Sequence, residues 1–132
     1  MIDEDDILEK TLFHKDYNLD GKDNISQIPK EPAVFGLCAM IHEKPTHCRY
    51  IGETVNLQQT IRDLFEKAGE VSEGFEKFMH GPWIKRMVYG LMPGSSPGDR
   101  QKEAEEWTKK YNPECDENGE YPKEKTTRRA RD

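Results

Sequence analysis

A long apolar run from Ala33 to His42 predicts the first β-strand of the chain. Strand geometry places Phe35 and Leu37 on one face of this run, and Val34 and Cys38 on the other. The run is too short for a membrane span and is bounded by proline and by polar residues. A buried strand is therefore the predicted element.

A return strand and a helix follow this run. The sequence Glu43-Lys44-Pro45 supplies a turn, across which Thr46 to Ile51 is predicted to pair back as the antiparallel partner. Within it, Cys48 to Ile51 are rich in residues that suit strands. Gly52 provides the backbone freedom for a sharp exit, and Asn56 can cap a helix that extends to about Lys67. The helix is predicted by the 3.6-residue spacing of four apolar side chains, Leu57, Ile61, Leu64 and Phe65.

Three further elements complete the predicted order. Ser72 can cap a short helix that ends before Pro82, and the alternating stretch Trp83–Leu91 predicts a third strand. Ser96 as a cap and Pro97 at the first helical position open a last helix. The sequence thus predicts a small α/β (α+β) domain with a three-stranded antiparallel sheet flanked by helices.

The two ends of the chain differ from this central domain, which is predicted to span residues 29–118. Residues 1–28 form an acidic lead-in, and residues 119–132 form a basic tail that we expect to be disordered. Within the lead-in, one short amphipathic helix is predicted from four apolar residues, Ile7, Leu8, Leu12 and Phe13.

The charge balance favours a protein partner over nucleic acid. The 26 acidic residues outnumber the 20 basic ones, which gives a net charge of −6. Phosphate contacts need positive charge, so we expect any binding to DNA or RNA to be weak and to reside in the basic tail. No apolar run is long enough to cross a bilayer, and no leader-like segment opens the chain. We therefore expect no membrane association and a cytoplasmic location.

Residues Asp16 to Gly21 alternate side-chain oxygens in the manner of the first half of a calcium loop. The twelfth position of such a loop is Gln27 and not a bidentate glutamate, and Pro29 blocks the exiting helix. An Asx-rich turn is the favoured interpretation. A calcium-stabilised interaction domain that uses Asp16, Asn18 and Asp20 remains a weaker alternative.

The stretch Tyr50-Ile51-Gly52-Glu53-Thr54-Val55-Asn56-Leu57 resembles the second motif of the GIY-YIG nuclease family. Pro32-Ala33-Val34-Phe35 stands where that family carries its first motif, and both motifs fall in order on the predicted hairpin. The resemblance covers most of the chain. It implies a phosphodiesterase site that uses two tyrosines, an arginine, a further helix residue and a glutamate that holds one Mg²⁺ ion.

Only part of this implied site is present. Tyr50 matches the second tyrosine, and Glu106 best matches the metal glutamate, with Glu103 and Glu105 as alternatives. The remaining implied positions are substituted, by Phe35, Thr60 and Leu64. Candidates to restore a positive charge are Arg62, Lys85 and Arg86, although Arg62 lies nearly opposite Thr60 around the helix.

The substitutions lead to two hypotheses. A general base and a charge-stabilising group typically contribute about 100-fold or more each, so their loss should leave little hydrolysis. The chain would then be a degenerate GIY-YIG domain that acts as a binding or accessory module. The alternative is an active Mg²⁺-dependent endonuclease with a rearranged site.

The cysteines are expected to be reduced thiols, because Cys38, Cys48 and Cys115 are odd in number and form no CxxC pair. Uninterrupted alternation places Cys48 on the face of Tyr50 and Cys38 on the face opposite Phe35. The resemblance implies that Phe35 and Tyr50 share a face. We therefore expect the two thiols to point apart, without a disulfide between them.

Overall fold

An antiparallel sheet with helices on both faces forms the framework of the protein. The computed structural model describes residues 4–41, 44–81 and 84–111. The predicted tail, Trp83 and Pro113 lie outside these residues. Within them, the strands and helices in chain order are β1 (Leu8–Leu12), β2 (Ala33–Ile41), β3 (Lys44–Thr54), α1 (Leu57–Glu66), α2 (Glu73–His80), β4 (Lys85–Leu91) and α3 (Pro97–Tyr111).

The sheet has four strands in the order β1-β4-β2-β3, and every neighbouring pair is antiparallel. The predicted antiparallel sheet is confirmed, but the predicted number of three strands is wrong. The fourth strand, β1, replaces the short helix expected in the lead-in. It pairs with β4 from Leu8 opposite Tyr89 to Leu12 opposite Lys85. Pairing along the otherwise open edge of β4 outweighs the helical spacing of a few apolar residues.

Strand alternation divides the core into two layers, as predicted. The larger layer lies between the sheet and helices α1 and α2 and contains Phe35, Leu37 and Met87. The smaller layer lies under α3 and contains Val34 and Trp107. Because β2 runs through the middle of the sheet, its residues from Ala33 to Cys38 are buried in the two layers.

The predicted helix starts are confirmed by their capping bonds. The side chain of Asn56 accepts a hydrogen bond from the Gln59 backbone amide at 3.1 Å, ahead of α1. Ser72 accepts one from Phe75 at 3.0 Å ahead of α2, and the Ser96 hydroxyl caps α3 in the same way. Each cap satisfies an amide that the first helical turn leaves without a partner.

The β2–β3 ladder contains two register shifts around Cys38, and these overturn our expectation for the thiols. Leu37 pairs with Tyr50, whereas the next residue, Cys38, pairs with Cys48 and not with Arg49. An extra residue in one strand shifts the alternation of the residues beyond it by one step. The Cys38 sulfur is disulfide-bonded, so the prediction of reduced thiols is wrong for this residue.

A partly buried ion pair joins α3 to β3. The Arg100 side chain is only 3% exposed, and its Nε donates to the Glu53 carboxylate at 2.8 Å. Its Nη1 also donates to the backbone carbonyl and the hydroxyl of Ser95 at 2.8 and 3.0 Å. The guanidinium therefore connects the start of α3 to the sheet and to the preceding turn.

Breaking this ion pair should destabilise the fold. We expect Arg100→Ala to lower the free energy of unfolding by about 3 kcal/mol, because Glu53 would keep its charge without its buried partner. Urea titration followed by circular dichroism measures the change. Lys77→Ala removes an exposed pair with Glu73 on α2 and should change stability by less than about 0.5 kcal/mol. Equal effects of the two substitutions would contradict a structural role for the Arg100 pair.

The register also predicts which cysteines are linked. Because the ladder places the backbone of Cys48 opposite that of Cys38, we expect the crosslink to join these two residues. Peptide mapping by mass spectrometry, after denaturation and alkylation without reductant, should yield a linked Cys38–Cys48 peptide that separates on reduction. Recovery of Cys38 as an alkylated thiol in the unreduced sample would show that this bond is absent.

Candidate functional site

The positions that match the two family tyrosines lie on the same face of the sheet, as the resemblance implies. The rings of Phe35 and Tyr50 are stacked, with centroids 5.9 Å apart and planes inclined by 20°. Phe75 from α2 lies on Tyr50 at 5.3 Å. Phe35 is only 1% exposed. This face is therefore closed by a helix and filled with aromatic side chains.

The matched positions on α1 also serve the packing of the domain. Leu64 is buried in the same core as Phe35. The Thr60 hydroxyl lies 2.6 Å from the hydroxyl of Thr54, at the end of β3. Thr60 therefore forms a local hydrogen bond between α1 and the strand that precedes it, and it presents no cation.

The acidic candidates lie on α3, which packs on the opposite face of the sheet from Phe35 and Tyr50. Glu105 and Glu106 are exposed, whereas Glu103 is buried and accepts a hydrogen bond from the Trp107 indole at 3.0 Å. The structure thus does not bring Glu106 together with the matched tyrosine positions.

The three basic candidates are also dispersed. Arg86 lies on the α3 face and contacts Glu9 and Thr11 of β1. Arg62 is half-buried on α1 and forms no ion pair with the residues described here. Lys85 lies on the side of the sheet that α1 and α2 cover.

Sequence reasoning missed one cation near Tyr50. The register shift in β3 places the Arg49 guanidinium 5.3 Å from the centre of the Phe78 ring on α2. Cations are attracted to aromatic faces at this distance. The bulge therefore positions Arg49 on the face of the sheet that α1 and α2 cover. Simple alternation from Tyr50 would place Arg49 on the opposite face.

The calcium-like segment forms the turn that its Asx residues predict. Asn18 donates to the carbonyls of His14 and Lys22 and accepts from the Lys22 amide, so its side chain closes the loop on itself. Asp23 accepts from the amides of Lys15 and Ile25. In the described residues, His, Cys, Asp and Glu form no group of three or more that could hold a metal ion.

A cavity of about 610 Å³ lies beside this turn, between the lead-in, the end of α2 and the start of β4. His14 lies in its wall and is 3% exposed. Its Nε2 lies 3.0 Å from the Glu66 carboxylate, and its Nδ1 accepts from the Asp16 amide at 3.2 Å. Glu66 and the Asp16 amide therefore hold the imidazole ring in place from both of its nitrogens.

Four of the rings that line the cavity form one contacting cluster. Tyr17 stacks on His80 with a centroid distance of 4.0 Å and an angle of 3°, and it lies 6.1 Å from Phe65. His14 contacts both Tyr17 and Phe65, at 4.8 and 5.5 Å. His80 is fixed by a 2.6 Å hydrogen bond between its Nε2 and the Phe65 carbonyl. The rings are therefore held in place before any ligand is present.

Lys85 contributes the cationic group of the cavity. The residue is 5% exposed, and its Nζ donates to the Gly81 carbonyl at 2.8 Å. Burial lowers the pKa of Lys85 from 10.5 to about 8, because the charged form loses its hydration. The ammonium forms no ion pair with any described carboxylate. Lys85 was a candidate cation in the sequence analysis, but for the phosphodiesterase site that the resemblance implies.

The lowered pKa of Lys85 predicts how the stability of the fold depends on pH. Between about pH 8 and pH 10.5 the unfolded chain holds the Lys85 proton more tightly than the folded chain, so stability should rise with pH across this interval. The contribution of this group is on the order of 3 kcal/mol. Urea titrations at several pH values should show a shallower rise for Lys85→Met than for the unmodified protein. Parallel curves would contradict a buried, destabilising charge.

None of the described helices combines the length and apolar character that a membrane span requires. Comparisons with protein-family models, with curated proteins and with solved structures found no match to the chain.

Proposed function

We propose that this chain is a degenerate GIY-YIG-like domain that acts as a binding or accessory module and does not hydrolyse phosphodiesters efficiently. The observation that carries the proposal is the burial of hydrocarbon where the resemblance implies reactive groups. Phe35 and Leu64 are 1% and 8% exposed and belong to one continuous core. A catalytic surface at these positions would need polar groups open to substrate and water.

The chemistry of the substituted side chains supports the same conclusion. Phe35 has no hydroxyl that could take part in proton transfer, and Thr60 carries no charge to stabilise a phosphate. Each lost function typically lowers a rate by about 100-fold or more. The order of elements from β2 to α3 agrees with the order that the family resemblance implies. The chain would therefore retain the order of elements of the family but lack side chains that the reaction needs.

The residues present do not fit a shared magnesium site with Tyr50. Glu105 and Glu106 are exposed carboxylates of the kind that Mg²⁺ accepts. They lie on α3, however, across the sheet from the Phe35–Tyr50 face. We therefore assign no metal-dependent step to these residues in the leading proposal.

One observation favours the alternative of an active Mg²⁺-dependent endonuclease with a rearranged site. Arg49 is turned toward α2 next to Tyr50, so a cation and a tyrosine are adjacent on one side of the sheet. An arginine can stabilise charge that develops on a phosphate. Arg49 would then replace the cation that Thr60 lacks, although Phe35 itself supplies no hydroxyl.

We further propose a protein partner and a cytoplasmic location. The net charge of −6 disfavours contact with phosphates and favours a partner with a basic surface. Cytosolic reductants keep most thiols reduced, so the disulfide at Cys38 needs protection in that compartment. Cys38 is completely buried beneath α3, which restricts the access that thiol exchange requires.

The test of this proposal is a nuclease assay. We expect the purified protein to leave plasmid DNA, single-stranded DNA and RNA intact with Mg²⁺ or Mn²⁺, because the base and the cation are replaced. Gel electrophoresis over extended incubation measures the cleavage. Arg49→Gln and Glu106→Gln serve as matched controls for contaminating nucleases. Cleavage that is lost in both variants would overturn the proposal and support the rearranged endonuclease.

A further inference from the structure

The cavity beside His14 has the dimensions and walls of a small-molecule site. Its volume of about 610 Å³ lies within the range that ligand pockets usually occupy. Its aromatic side is preformed, because Tyr17 is stacked on His80 and His80 is anchored to the Phe65 carbonyl. The cavity lies apart from the Phe35–Tyr50 stack and from α3, so it belongs to neither of the sites considered above.

The polar groups of the cavity differ in how many of their hydrogen-bonding atoms have a partner. His14 already has a partner on each ring nitrogen, Glu66 on one side and the Asp16 amide on the other. Lys85 differs, because its ammonium has three donors and the structure gives it one acceptor, the Gly81 carbonyl. A buried charge is costly unless it is paired and hydrogen-bonded. The cavity therefore contains a cation that lacks an anionic partner among the described residues.

The ligand that would complete this arrangement is a monoanion with a flat body. A carboxylate can accept from the two remaining Lys85 donors, and charge-assisted bonds of this type are strong. The rings of Tyr17, Phe65 and His80 favour a planar aromatic group, which packs by offset or edge contacts. A dianionic phosphate fits poorly, since Lys85 is a single cation and the Asp16 carboxylate also lies at the cavity wall.

We propose that the cavity between the Tyr17–His80 stack and Lys85 binds a small aromatic carboxylate, with the carboxylate on the Lys85 ammonium and the ring among the aromatic side chains. This proposal does not depend on the GIY-YIG resemblance. It assigns a role to the lead-in, since His14 and Tyr17 both belong to the segment that precedes the central domain.

The first test compares three probes on the unmodified full chain, two of which, an acid and its amide, have nearly the same shape. Isothermal titration calorimetry compares indole-3-acetate with its neutral amide, indole-3-acetamide, and with a nucleoside monophosphate. We expect the carboxylate to bind about 10- to 100-fold more tightly than the amide, because only the carboxylate pairs with Lys85. Equal affinities for acid and amide, tighter binding of the phosphate, or no saturable binding of the acid would each overturn the proposal.

Variants then locate the binding. Lys85→Met should remove the preference for acid over amide, and Tyr17→Ala should weaken both probes. Lys77→Met, at an exposed position on α2, is the matched control and should bind as the unmodified protein does. Amide chemical shifts measured by NMR should move at Gly81 and His14 when indole-3-acetate is added. Shifts confined to α3, or a preference that survives Lys85→Met, would place the ligand elsewhere and refute the assignment.

The pH dependence provides a readout that does not require a variant. Binding of the carboxylate should weaken as the pH rises from about 7 to about 10, because Lys85 loses its proton over this interval. Affinity for the amide should stay nearly constant over the same interval. Identical profiles for the two probes would show that the Lys85 ammonium is not the partner of the carboxylate.

Discussion

The double burial of strand β2 is the constraint on which the remaining structure depends. Val34, Phe35, Leu37 and Cys38 are all 1% exposed or less, although they point to both sides of the sheet. A strand in this position needs a neighbour on each edge and a covering element on each face. Strands β3 and β4 supply the edges, α1 and α2 cover one face, and α3 covers the other. Among the described strands, β1 stands outside these requirements, because it pairs with β4 at the far edge of the sheet.

Local chemistry accounts for the parts of this fold that the sequence predicted. Asn56, Ser72 and Ser96 cap helices because each offers a side-chain oxygen at the position where backbone amides lack acceptors. The strands around Phe35 follow from apolar runs bounded by turn residues. The lead-in was misassigned because its strand exists only through pairing with β4, whose residues lie more than 70 positions along the chain. Such a long-range partner leaves no local signal.

The site could be predicted less completely than the fold. The resemblance to a motif predicted that Phe35, Thr60 and Leu64 are substituted positions, and the structure shows where these side chains lie. The cavity could not be predicted, because Tyr17 and His80 come together only when the lead-in folds over the end of α2. Lys85 illustrates the same limit, since its identity as a cation was visible but its burial was not. What these groups can bind depends more on where the fold places them than on their residue type.

The two register shifts in β3 limit how the length of the β2–β3 hairpin can change. β3 uses 11 residues to pair with the 9 of β2. Every other pair in this ladder joins an odd-numbered residue to an even-numbered one, whereas Cys38 and Cys48 are both even-numbered. One extra residue reverses which face a strand presents, and a second restores it. Deletion of one residue here would therefore exchange the two faces of the hairpin tip. Deletion of both extra residues would preserve the faces and keep Cys48 opposite Cys38, so this hairpin can shorten without exchanging its faces only by two residues together.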